Sequence, residues 1–287
     1  MNCIINLNKP ENISSQQAVT RVKKLLGVRK AGHAGTLDPL ATGVLLICLD
    51  KATKITRFLS DLDKEYEVRM KLGEKTDTYD STGTVLEKKD CRFIRKPDVL
   101  HALEQFTGRI LQVPPIYSAI KVGGERLYKL ARRGITDIRS PERTVSVHKL
   151  ELIQFDPPFV ELRIACSKGT YVRSLCNDLG AVLGPGGHMT ALQRTCIGKF
   201  RVTESTAFSE LAAGAGTCYP MDFALSHLPE IMLTEEEFGK LSRGLPRKAG
   251  QDFPPDNSYI RLKSPENVLL GIGRIEQKWL KIERMLN

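Results

Sequence analysis

The sequence contains no apolar run of about 18 residues or more, the length a membrane-crossing helix needs. Its first residues, MNCIINLNKPEN, lack a basic segment followed by an apolar one, so no secretion signal is read there. Cysteine is sparse and unpatterned: seven residues, an odd number, with no Cys-x-x-Cys. Such spacing offers neither a zinc site nor a disulfide framework. Cys48 and Cys166 sit inside apolar runs, as buried reduced thiols of a cytoplasmic protein would. Internal repeats, low-complexity tracts and Gly-rich nucleotide-binding loops are missing too. The expectation is a chain without cofactor or metal.

What remains is a chain able to fold and bind. Its 287 residues are 41% hydrophobic, enough for one large domain plus a small one. Lys and Arg total 43 against 33 Asp and Glu, a net charge of +10. That surplus favours a polyanionic partner, because phosphates neutralised by Lys and Arg release counterions. No tail concentrates the charge, so a merely solvated basic surface is the competing explanation.

Periodicity predicts a helix over Ser14 to Leu26, with Ala18, Val22, Leu25 and Leu26 on one face and Gly27 at its end. Val28 to Thr36 reads as a basic, Gly-rich loop, and Val44 to Leu49 as a buried strand. In Glu65 to Leu72 the apolar residues Tyr66, Val68, Met70 and Leu72 alternate with charged ones, which predicts a half-buried strand. Pro97 to Phe106 is a predicted helix with Leu100, Leu103 and Phe106 inward, and Arg126 to Arg133 a short basic one. Val160, Leu162, Ile164 and Cys166 mark another strand. Thr170 is the expected cap of a helix carrying Val172, Leu175, Leu179 and Val182. Strands and helices alternate irregularly, which argues for an α+β fold. A boundary is expected near residues 225–230. Beyond it lie a capping pair at Thr234 and Glu237, a loop from Pro246 to Pro255, and short strands near Tyr259–Leu262, Val268–Ile275 and Trp279–Ile282.

The chemistry points to Gly32-His33-Ala34-Gly35-Thr36-Leu37-Asp38-Pro39-Leu40-Ala41-Thr42-Gly43-Val44-Leu45. Glycines, a histidine and an Asp-Pro form a turn feeding a buried strand, so an acid stands at the mouth of a sheet. Alone, Asp38 reads more readily as a turn residue and His33 as a hydrogen-bonded loop histidine. The whole segment, however, resembles the catalytic motif of the TruB-type tRNA pseudouridine synthases. Further segments resemble the family in the same order: Asn8-Lys9-Pro10, Lys51-Ala52-Thr53-Lys54, Lys64-Glu65-Tyr66, Leu72 to Asp80, Gln112 to Lys121, Cys166 to Leu175, and Leu192-Gln193-Arg194-Thr195.

The resemblance implies a mixed-sheet pseudouridine-synthase core flanked by helices, residues 1–227, and a small β-rich PUA-like RNA-binding module, residues 228–287. It implies isomerisation of uridine 55 in the T-loop of tRNA, with Asp38 as the catalytic carboxylate and Arg173 as its ionic partner. Tyr66 would stack on the extruded uracil, Tyr171 and Leu192 would line its pocket, and His33 would aid flipping. Lys9 and Lys64 read as structural or phosphate-facing lysines. The implied partner is the T-arm of tRNA; no membrane contact and no obligatory protein partner are expected, and a monomer is the default. Asp50-Lys51 stands where the family usually has Gly-Glu, Gln193 where it often has Arg, and the tail matches the PUA pattern best at Val268 to Gly273. A guide-RNA-dependent synthase subunit and a non-catalytic tRNA-binding or tRNA-folding protein are the alternatives.

Overall fold

A computed structural model describes residues 1–135, 138, 140–250 and 253–286. Its body is a ten-stranded mixed sheet. Across it run Cys218–Pro220, Cys3–Lys9, Thr42–Leu49, Gly187–Ile197, Lys64–Leu72, Phe159–Cys166, Arg143–Asp156 and Gly108–Gln112. Short strands Ala31–His33 and Phe200–Arg201 join beside this path. Neighbours are antiparallel except where Gln193 and Arg194 run parallel to Thr42 and Gly43.

Thr42–Leu49 is apolar throughout because both of its faces are covered. Leu45, Ile47 and Leu49 join one core cluster, with Ala18, Val22, Val99 and Leu175 from the helices on that face. Val44, Leu46 and Cys48 point the other way, toward Ile55, Phe58 and Leu59. Lys64–Leu72 buries Tyr66, Val68, Met70 and Leu72 and leaves the alternate charged residues partly or fully exposed. Each such burial contributes roughly 1.5–3 kcal/mol, which is why the period-2 pattern decides register here.

The helices sit where their ends dictate. Ser14 accepts from the Gln17 amide, Gln17 reaches back to Ser14, and Gly27 closes the Ser15–Leu26 helix at φ 62°. The buried face is Ser15, Ala18, Val19 and Val22, whereas Leu25 is exposed. The expected helix after residue 96 spans Lys96–Glu104 and buries Val99, Ala102 and Leu103; Leu100 faces solvent. The short basic helix is Leu127–Arg132. Thr170 does not cap the next helix: its hydroxyl donates to the Ser167 carbonyl, and Tyr171 stands at the N-cap of Val172–Leu183. Val182, on the far side of that helix, is exposed.

Two further expectations are corrected. The Val28–Thr36 loop contains the strand Ala31–His33, because its backbone pairs with Ile47–Leu49 whatever its side chains. A disulfide joins Cys3 to Cys218, a pairing that spacing alone hides across a separation of 215 residues. Their strands are hydrogen-bonded neighbours, with Cys3 opposite Pro220, which sets the two Cα atoms 5.7 Å apart. The other five cysteines are free.

After the Met221–Ala224 helix the chain builds a second sheet, ordered Glu230–Met232, Tyr259–Lys263, Leu269–Glu276, Trp279–Met285 and Arg247–Lys248. Arg247–Lys248 lies inside the expected Pro246–Pro255 loop, of which Gln251 and Asp252 are outside the described residues. With Glu235–Ser242, capped by Thr234 and Glu237, this sheet makes the PUA-like module. Its own core is small: Leu233, Leu241, Ile260, Leu262, Ile275 and Leu280. Docking supplements it. Ile272 and Leu286 belong to the body's second cluster, and a charged seam faces the body. There Asp222 accepts from Arg261 at 2.7 Å and Lys263 at 2.9 Å, and Glu230 pairs with the same two cations.

Candidate active site

Asp38 is carried by a loop that leaves Ala31–His33 and re-enters the sheet at Thr42. The loop is tied down at several points. The Ser15 hydroxyl accepts from the Leu37 amide at 2.8 Å and donates to the Leu37 carbonyl at 2.9 Å. Lys9, fully buried, donates its ammonium to the carbonyls of Pro10 and Ile13 at 2.8 Å and of Pro39 at 3.2 Å. Gly43 has φ +96°, and a Cβ there would stand 2.3 Å from the Arg194 carbonyl oxygen, so only glycine fits.

Opposite the loop, Arg173 enters from the start of the Val172–Leu183 helix with its side chain almost wholly buried. Its Nε stands 2.9 Å from Asp38 Oδ2, and its Nη2 donates to Asp38 Oδ1 at 3.2 Å. The same guanidinium donates to the carbonyls of Tyr117 at 2.8 Å and Thr78 at 3.1 Å, and lies 3.3 Å from Asp80 Oδ2. Asp80 is itself buried, and its other oxygen accepts from Thr78 and Thr82. Gln112 fixes the head of the Arg173 helix: Tyr171 N donates to its Oε1 at 3.0 Å, and its Nε2 donates to the Tyr171 carbonyl at 3.3 Å. Ser174 donates to the Val113 carbonyl at 2.8 Å. One guanidinium thus joins two carboxylates, with Asp38 the more open of them.

The charges follow from this packing. Burial pushes the Asp38 carboxyl above its usual range; the Arg173 charge opposes the rise and Asp80 adds to it. Lys9 and Lys64 are each lowered to about 8, chiefly by burial. Burial, and after it the Arg194 charge, lowers His33, which favours the neutral imidazole. Tyr66 and Tyr171 are raised by burial and so stay protonated phenols near neutrality.

The site residues read from the sequence converge unevenly. Asp38 and Arg173 are in direct contact. Tyr66 and Leu192 are buried on the helix-covered face of the sheet, in the cluster that also holds Leu37 and Leu40 from the Asp38 loop. Tyr171 lies at the N-cap beside Arg173, with the Arg143 guanidinium 5.4 Å from its ring. His33 is half-buried at the end of its strand, at the root of the loop. Lys64 donates to the Ser60 and Leu62 carbonyls and has no partner in the loop. Asp80, Gln112 and Arg194 carry no role visible in the sequence. Each lay within a quoted segment, but only folding reveals which polar residue turns inward.

Comparisons with known proteins meet this geometry. A family model described as TruB family pseudouridylate synthase, N-terminal domain, matches residues 23–172, and one for the tRNA pseudouridylate synthase B C-terminal domain matches residues 173–219. The chain is 41% identical to tRNA pseudouridine synthase B of Haemophilus influenzae (strain PittEE), over 98% of this chain and 94% of the relative. It is 40% identical to the protein of that name from Clostridium tetani, over 100% of both. Its fold is similar to a chain in an H/ACA ribonucleoprotein bound to a substrate RNA containing 2′-deoxyuridine, with a TM-score of 0.74 at 23% identity, covering 99% of this chain and 85% of that one. A chain in a Cbf5-Nop10-Gar1 complex is similar too, with a TM-score of 0.75 at 24% identity and the same coverage. With matches that run end to end and an Asp–Arg ion pair at the mouth of the central sheet, the chain belongs to the TruB family of pseudouridylate synthases.

Proposed function

We propose that the reaction, isomerisation of a tRNA uridine to pseudouridine, is directed at uridine 55 of the T-loop and runs on Asp38. The Asp38–Arg173 fork carries this reading. Isomerisation breaks the C1′–N1 bond, turns the uracil and joins C5 to C1′. The C5 proton is lost and N1 gains one, so the product has the atoms and oxidation level of the substrate. The chemistry therefore calls for a carboxylate beside the ribose, a platform for the detached base and a means of extracting it from the stack.

Asp38 is the carboxylate, either attacking C1′ or taking the 2′ proton. Arg173 holds it ionised and aimed although burial favours its neutral form. Tyr66 stacks on the extruded uracil, a contact worth roughly 1–3 kcal/mol. Tyr171 and Leu192 close the pocket, and His33, neutral at the root of the loop, fills the gap the base leaves in the T-loop. Residues 1–227 act as the catalytic domain, and residues 228–287 as an RNA-binding module docked on it. The enzyme works as a cytoplasmic monomer without a guide RNA or protein partner.

The test is tritium release from tRNA transcript labelled at uracil C5, with purified protein alone. Release that disappears when the T-loop uridine is replaced by cytidine is the expected result. Release that persists after replacement would move the target elsewhere. Release only after a guide RNA is added would end the stand-alone reading.

A further inference from the structure

The geometry points to Arg194 as a positioning residue of the isomerisation, one that holds the Asp38 loop in a fork of the central sheet. Two strands share one edge of Thr42–Leu49. Gly187–Ile197 pairs with it only at Thr42 and Gly43, and Ala31–His33 only from Ile47 to Leu49. Between them the edge opens, and the loop bearing Asp38 emerges from the opening. A carbonyl exposed in such a gap needs a donor. Arg194 supplies it: Nε donates to the Val44 carbonyl at 2.8 Å.

The rest of the guanidinium reaches the loop. Nη2 donates to the Gly35 carbonyl at 3.1 Å and Nη1 to the Thr36 carbonyl at 3.4 Å, two residues before Asp38. Arg194 is 1% exposed, and no carboxylate among the described residues pairs with it. A buried cation is costly unless its donors are met, and here backbone carbonyls of the strand and loop meet them. A planar fork can span three such acceptors, whereas an ammonium is a single point.

Arg194 also faces the substrate platform. It lies directly opposite Tyr66 in the antiparallel ladder, and Leu192, two residues earlier, faces the same side. Its charge lowers His33 and opposes the rise of Tyr66, so its field covers the site. The residue sets where Asp38 stands relative to Arg173 and Tyr66 without touching the reacting atoms. Misplacing a reacting group by an ångström is enough to slow a reaction about 100-fold.

This inference rests on the isomerase reading, and the test separates the two. Arg194→Lys and Arg194→Met are compared with wild type by single-turnover tritium release at saturating enzyme, tRNA binding and thermal melting, below the unfolding temperature of each variant. Expected is a fall in the saturated rate of about 100-fold with tRNA affinity unchanged. Arg194→Lys, which keeps the charge, should regain much of the melting temperature but not the rate. A folded Arg194→Lys protein turning over at the wild-type rate would overturn the proposal, as would slowing that tracks lost stability alone. Should Arg194→Met not fold, Arg194→Lys decides. A wild-type protein that releases no tritium would instead sink the isomerase reading.

Discussion

Replacing Arg173 with methionine removes the one group that joins Asp38 and Asp80. Stripping one partner from a buried ion pair costs about 3–5 kcal/mol, because the other charge stays buried alone. The Asp38 side chain is 32% exposed and Asp80 only 5%, so solvent screens part of the first loss and little of the second. About 3 kcal/mol is therefore expected near pH 8. For a chain of this size that lowers the melting temperature by roughly 5 °C. The sign of the pH dependence follows from Asp38. Its folded-state pKa already lies above the unfolded value, and losing Arg173 raises it further. The folded chain then holds the proton more tightly than the unfolded chain, so stability falls as pH rises from the unfolded pKa to the folded one. The deficit of Arg173→Met relative to wild type should thus shrink as pH falls toward the unfolded carboxyl range and be largest once the folded-state Asp38 carboxyl has ionised. The acid limb of its residual rate should move to higher pH. Melting curves and single-turnover rates across that range check both. A deficit of equal size at every pH would refute the electrostatic argument.

Other expectations are more local. Gly43→Ala puts a Cβ against the Arg194 carbonyl at a positive φ, and urea unfolding should show a loss of about 2 kcal/mol or more. Tyr66→Ala should slow single-turnover isomerisation by roughly 10- to 100-fold through lost stacking, whereas Tyr66→Phe should keep the binding contribution of the ring. Asp222→Ala leaves Arg261 and Lys263 with Glu230 as their one carboxylate among the described residues, and limited proteolysis near residues 225–230 should accelerate while the larger body stays intact.

The glycines and the Asp-Pro pair made the Asp38 turn into a buried strand legible, but only the resemblance of the whole segment to the TruB-type motif singled out Asp38. Glu65 to Leu72 was legible because alternation survives whenever one face is buried. Helix faces were less secure. Leu25 and Leu100 fit a 3.6-residue period, but the packed arc is narrower than the apolar one, and Val19 and Val99 fill it. Ala31–His33 escaped because its pairing uses backbone alone. The partners of Asp38 were half visible. Arg173 could be named, yet Asp80 looked like one acid among several, and its place against the guanidinium arises only when the Thr76–Thr82 turn meets the helix. Arg194 sat in a quoted segment with no sign that its side chain would bridge a sheet fork. Cys3 and Cys218 are distant in sequence and adjacent only through a strand pairing.

The most direct test of the account is Asp38→Asn, which keeps the shape of the side chain and removes its charge. Wild type and variant are given the same C5-tritiated tRNA transcript, and binding is measured beside release. The account expects full release by wild type, no release by Asp38→Asn, and tRNA binding retained by both. Release by Asp38→Asn at a rate near wild type would contradict it, because the carboxylate that Arg173 holds would then have no part in the chemistry.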